Sequence, residues 1–180
     1  MNFSYRPAVT DAERDEPFLR MRREGLLGCA MYAFAEPTLD DWREVTARGL
    51  LLRCEDALGR LCACGLFTPW RGNLLEFDFT TFRESAGEAP AMAAGGFTWI
   101  FRETECSGIA GICPVPNRHA WRLAGACGFR VLGRLAGACF YARKGRFVDG
   151  VLVSLSRAEW AARAHHTHTP KEGSWDLEEA

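Results

Sequence analysis

Lysine is almost missing from this 180-residue chain: Lys144 and Lys171 stand alone, and the other basic residues are arginines. The 22 basic side chains face 23 acidic ones for a net charge of -1, with a pI near 6.4. That balance gives no general attraction to nucleic acid or to an anionic membrane surface. Long apolar runs are missing too, since no stretch approaches the roughly 18 apolar residues a membrane span needs. No signal peptide is legible, and the eight cysteines sit among apolar residues. This predicts reduced thiols in a cytoplasmic protein rather than a disulfide framework. Cys62-Ala-Cys64 lacks the spacing of a zinc knuckle, and on a strand both sulfurs are expected on one side, so no metal site is predicted.

What is present suits one globular domain. The hydrophobic content is 48%, ordinary for a packed core at this length. The domain is expected over residues 1–160, followed by a loose polar tail over 161–180 that carries His165, His166 and His168.

The most structured stretch runs from Gly108 to Arg130. Gly108 to Val115 is short and apolar and predicts a buried strand, which Pro114 and Pro116 end. Asn117 is a good N-cap, and Ala120, Leu123, Ala124 and Cys127 recur at helical spacing. Gly128 suits the left-handed residue that closes a helix, and Phe129 can fold back against the last turn.

Earlier in the chain, Asn2 to Val9 alternates as a strand, and Thr10 to Glu13 reads as a capping box. Pro17 predicts a break, with a short turn before it and a helix from Pro17 to Glu24. Gly25 and Gly28 loosen the next segment, and a second helix is expected over Thr38 to Arg48. Three strands come next, Leu50 to Cys54, Leu61 to Phe67 and Leu74 to Phe82. Their short connections imply antiparallel neighbours. In the third, Leu75, Phe77 and Phe79 alternate with Glu76, Asp78 and Thr80, which puts two carboxylates on one surface. A buried helix from Pro90 to about Thr104 contains Gly95 and Gly96, predicting close approach of another backbone or a ligand. Arg130 to Arg143 and Phe147 to Ser156 form a long hairpin, and Arg157 to Ala164 a last helical turn.

Strand, Asn-capped helix and Gly-Phe resemble the second half of the GNAT N-acetyltransferase fold, whose helix reads Asn-x-x-Ala-x-x-x-Tyr-x-x-x-Gly-Phe. Asn117, Ala120, Gly128 and Phe129 fall at the matching offsets, and Ala124 replaces the tyrosine. The resemblance covers residues 2 to 156. It implies an α/β (α+β) architecture: a mixed, mostly antiparallel twisted sheet of about seven strands, with helices on both faces. Phe97, Trp99, Phe101 and Asp149 resemble more narrowly a GNAT-like group of phages and prophages.

The resemblance implies acetyl-CoA as co-substrate, lying where the strand before the buried helix and the strand after it splay apart. Phe79, Thr80, Thr81 and Phe82 would hold the acyl and pantetheine groups through backbone amides, Arg83 and Gly87 would lie near the pyrophosphate, and Asn117 would touch the cofactor or act only as a cap. The family loop is Arg or Gln-x-x-Gly-x-Gly or Ala; here Arg83-Glu-Ser-Ala-Gly87-Glu-Ala has its glycine one residue late and two carboxylates, Glu84 and Glu88. Glu76 or Asp78 stands where the base is often found, though a solvent-facing stripe reads the same way. Water, Cys127 or Tyr141 would have to supply the acid. Trp42 and Trp70-Arg71 are either an acceptor pocket or ordinary packing. The implied acceptor is a small-molecule or peptide amine, and a homodimer is one implied assembly. The altered loop and Ala124 leave a second expectation open, an inactive GNAT-like binding or assembly protein, phage-related by the narrower likeness.

Overall fold

A computed structural model describes residues 2–164. In chain order it contains β1 (Ser4–Pro7), α1 (Asp11–Glu24), α2 (Leu27–Ala30), α3 (Leu39–Thr46), β2 (Leu50–Glu55), β3 (Leu61–Pro69) and β4 (Leu74–Thr81). A 3-10 turn (Arg83–Glu88) then leads into α4 (Ala89–Glu103), β5 (Gly108–Pro114), α5 (Arg118–Ala126), β6 (Arg130–Tyr141), β7 (Arg146–Ser156) and α6 (Arg157–Ala164). The seven strands form one sheet in the order β1-β2-β3-β4-β5-β7-β6. Every neighbouring pair is antiparallel except β4 and β5. Helices cover both faces, α4 and α5 over one core and α1 to α3 over the other. The histidines expected in the tail lie outside the described residues.

Alternation along β4 sets the two faces. Phe77 and Phe79 pack with Phe97 of α4, while Asp78 lies opposite Leu66 of β3, a residue of the α1-side core. The Gly-Phe motif closes α5 as expected: Gly128 has φ +94, and the N–H groups of Gly128 and Phe129 donate to the carbonyls of Gly125 and Ala124. Those two bonds satisfy the last-turn carbonyls in the Schellman manner. Phe129 then packs 4.8 Å from Phe97 and 4.9 Å from Phe77, centroid to centroid.

Four details differ from the sequence reading. Helix α1 runs unbroken from Asp11, with Pro17 buried inside it. Proline denies the Glu13 carbonyl its helical partner, and Nη1 of Arg53 donates to that carbonyl at 3.0 Å instead. The indole N–H of Trp42 donates to the next carbonyl, Arg14, at 2.7 Å. Arg53 itself is only 4% exposed and is held by Glu55 and Glu16, each at 2.7 Å, so the charge that rescues the helix is paired.

The β2–β3 register shifts at Cys54/Glu55, which pairs Glu55 with Leu61 and leaves Cys62 as an extra residue. The bulge turns Cys62 to the core of Cys54 and Met92, while Cys64 joins the α1-side core. The two sulfurs therefore face apart. Gly95 meets neither backbone nor ligand but the Tyr5 ring, whose hydroxyl donates to the Met92 carbonyl at 3.1 Å. Asn117 makes no side-chain cap bond; its backbone N–H donates to Pro114 and its carbonyl accepts from Ala120.

Candidate active site

The parallel contact between β4 and β5 is short. Leu74, Leu75 and Glu76 pair with Gly108, Ile109 and Ala110, and there the ladder stops. Beyond it β4 stays paired to β3 as far as Thr81, and β5 stays paired to β7 as far as Pro114. Each strand keeps its outer neighbour and loses its inner one, which opens a V in the middle of the sheet. Phe77 and Gly111 meet at the apex. A Cβ built on Gly111 would lie 2.7 Å from the Phe77 ring, so glycine is what lets that ring settle there.

The open edge of β4 carries unpaired backbone groups at defined positions. The Phe82 N–H donates to Cys62 on β3, and strand amides alternate in direction. The same alternation turns Thr80 and Asp78 toward β3, and Phe77, Phe79 and Thr81 toward the gap. Of the four residues expected to offer amides, Phe79 and Thr81 aim theirs at the V. The Thr80 side chain lines the space. Phe82 is fully buried, with the Arg20 guanidinium 4.4 Å above its ring.

The V continues into a slot of about 60 Å³, open to solvent. Phe77, Phe79 and Phe97 form one wall, Ile112, Cys113 and Pro114 of β5 another, and Asn117, Ala120 and Ala124 of α5 a third. Two alanines one turn apart leave α5 thin along the slot, and no tyrosine fills the position of Ala124. Cys127, considered as a substitute acid, points its thiol at the Pro90 carbonyl, 3.7 Å away. Tyr141 is buried and stacks on Tyr32, with centroids 6.5 Å apart.

Tyr32 is a site-lining residue that sequence reasoning missed. It lines the slot and both clefts on the α1 face of β4. Its hydroxyl lies 3.5 Å from the Ile112 carbonyl. Burial, reinforced by Asp78, Cys139 and Cys113, raises its phenol well above the ordinary value, so it keeps its proton at any working pH. Met31-Tyr32-Ala33-Phe34 follows a one-turn helix and has no repeating period, so only its apolar content could have drawn notice.

Asp78 borders the same three spaces. Asp78 is the exposed residue of β4 and meets solvent at the cleft mouth, with protein crowding the inner side of its carboxyl. Partial desolvation on that side, with Glu76 adding like-charge repulsion, pushes its pKa up to about 6. Glu76 is half-buried, and burial raises its pKa too. Among the described residues neither carboxylate has a hydrogen-bond or ion-pair partner. Two carboxylates with raised pKa values and nothing to neutralise them suit proton acceptance from a bound group.

The phosphate end is less open. The Arg83 N–H donates to the Glu24 carboxylate at 2.8 Å, and its Nε donates to the Glu24 carbonyl at 2.9 Å. Arg83 is thus tied to the end of α1. Glu84 pairs with Arg20 at 3.4 Å, and Gly87 is exposed with nothing within 4 Å of a Cβ built on it. Acetyl-CoA would enter the gap along the Phe79 and Thr81 amides and the thin face of α5. Its pyrophosphate would meet the exposed turn around Ala86 and Gly87, with Arg83 engaged elsewhere. Trp42 lines the cleft beyond Asp78, whereas Trp70 is 38% exposed and does not. No group of three or more metal-binding side chains occurs among the described residues, and no helix among them is long and apolar enough to cross a membrane.

Solved structures share this fold. The spermidine N-acetyltransferase of Vibrio cholerae, in complex with CoA and spermine, matches with a TM-score of 0.72 at 16% identity, over 88% of this chain and 98% of that one. The chain has the GNAT fold. The ribosomal-protein-S5-alanine acetyltransferase of Vibrio fischeri matches this GNAT chain with a TM-score of 0.65 at 14% identity, over 88% of this chain and 94% of that one. No protein-family model matches the sequence, and no curated protein does either. The expected mixed sheet therefore stands, and the narrower likeness to a phage or prophage group finds no support among these structures.

Proposed function

We propose that the chain is an N-acetyltransferase that carries an acetyl group from acetyl-CoA to a primary amine. The observation that carries this reading is the β4–β5 ladder, which ends at Glu76 beside the unpartnered Asp78. A donor can enter the open edge of β4 while an amine approaches one face of the same strand.

The co-substrate supplies an activated acyl carbon on a good leaving group. The gap-facing amides of Phe79 and Thr81 hold and polarise the acyl oxygen. As the amine nitrogen bonds to the acyl carbon, the carbon–sulfur bond breaks. Asp78 takes the proton the nitrogen sheds, and Tyr32 gives one to the departing sulfur. Both residues border the same slot, so a water between them returns the proton from Asp78 to Tyr32 and resets the site. Glu76 raises the proton affinity of Asp78 and favours a cationic acceptor. Arg83 and Gly87 lie at the phosphate end, and Asn117 at the wall of the slot.

A thermal-shift titration with acetyl-CoA tests the first step, because a ligand bound only by the folded state raises the melting temperature with its logarithm of concentration. A rise is expected, and thiol release on adding amines completes the test. The second reading, a GNAT-shaped binding or assembly protein without activity, draws on Ala124 and on the carboxylates of Glu24, Glu84 and Glu88 near the phosphate end. An unchanged melting temperature at millimolar acetyl-CoA favours it.

A further inference from the structure

Beyond Asp78, on the α1 face of the sheet, a second space of about 140 Å³ opens between α3, β3 and the segment after α2. Its walls are Met31, Phe34, Trp42, Val45, Cys64 and Leu66. Trp42 presents hydrocarbon, because its indole N–H is spent on Arg14. The polar groups bordering this space are those at its inner end, Asp78, Thr80 and Tyr32. The neighbouring cleft over Glu76 carries Arg48 at its rim.

From this distribution we infer that the acceptor is a monoamine with an apolar or aromatic body, its amino group at Asp78 and its body between α3 and β3. This rests on the acetyltransferase reading and specifies its substrate. The transfer chemistry is the same: the nitrogen–acyl bond forms, the carbon–sulfur bond breaks, and the shed proton goes to Asp78. A polyamine laid along the same path is a poor fit, because its further ammonium groups would be drawn from water into the apolar walls between α3 and β3. An arylalkylamine places one charge at one carboxylate and buries the rest as hydrocarbon.

Two measurements keep the inference separate from the reading beneath it. Melting temperatures with 2-phenylethylamine or spermidine, without acetyl-CoA, probe the pocket alone. A rise of about 3 °C at ten times the dissociation constant is expected for the arylalkylamine, and none for spermidine at the same concentration. Acetylation rates then probe the reaction, with kcat/KM for 2-phenylethylamine expected at least about tenfold above that for spermidine. Val45→Glu, or Phe34→Glu should the first variant fold poorly, is expected to narrow or reverse that preference. Preferential binding or acetylation of spermidine overturns the inference and leaves the enzyme reading intact. Binding of the arylalkylamine with no turnover of any amine supports the pocket and removes the enzyme.

Discussion

At neutral pH the Asp78 carboxylate is charged in a place that resists charge. An ordinary aspartate titrates near 3.8, and this one near 6. Below about pH 4 both folded and unfolded chains carry the proton and Asp78 does not affect their balance. Between about pH 4 and about 6 the unfolded chain ionises while the folded one still holds its proton, so the penalty builds across that window and is constant above it. Asp78→Asn should therefore raise the melting temperature at about pH 8 and leave it unchanged at about pH 3.5, as calorimetry at both pH values will read. The same substitution should lower turnover by about a hundredfold while acetyl-CoA affinity holds, and Glu76→Gln should cost about tenfold. The parent rate should climb with pH through about 6 and then level. Tyr32→Phe keeps the ring and removes the proton, so kcat should fall by about tenfold or more with KM for the amine little changed. Asp78 was legible because period-two alternation assigns it a face. Tyr32 was not, because residues 31–38 follow no period and its neighbours across the slot are more than forty positions away.

Among the elements, α1 and α4 show how tertiary contacts overrule local preference. Burial alone would raise the Glu55 carboxyl, but hydrogen bonds from Arg6 and Arg53 outweigh it and hold the group below the ordinary range. That contribution is full above the unfolded value near 4.5 and is lost as the pH falls through the folded one. Arg53→Met leaves Glu55 without one of its guanidinium partners and the Glu13 carbonyl without its donor, so urea unfolding at neutral pH should show a loss of about 3 kcal/mol. Gly95→Ala is the opposite of the usual helix repair. Alanine improves a helix by about 1 kcal/mol elsewhere, but here its methyl would enter the Tyr5 ring. A net loss of about 1–3 kcal/mol is expected, relieved when Tyr5 is also shortened to leucine. The glycine signalled close approach in the sequence, and the partner was not knowable because β1 lies far from α4 along the chain. The Cys62 bulge was hidden for a similar reason: one extra residue in a strand has no signature until the facing strand is known.

For the molecule as a whole, the succession of elements was legible from short loops, one crossover helix and an Asn-to-Gly-Phe spacing, and the V followed from the GNAT resemblance that spacing carries. What fills the V was not, since it depends on how α2 and its following segment lie over the sheet. Thiol chemistry offers a global check. None of the eight cysteines is paired, and Cys29 is exposed while Cys54, Cys62, Cys64, Cys106 and Cys139 are buried. A native titration with a disulfide reagent should show one fast thiol, slower reaction at Cys113 and Cys127, and all eight after denaturation. Cys29 borders the slot, so saturating acetyl-CoA should slow the fast phase.

The guanidinium that answers Pro17 belongs to Arg53, 40 residues beyond the Glu13 carbonyl it serves. An excised peptide spanning α1 has no donor for that carbonyl, so its helix is weakest at that turn. On the ribosome, the carbonyl has to wait for β2 to be synthesised before it finds its partner.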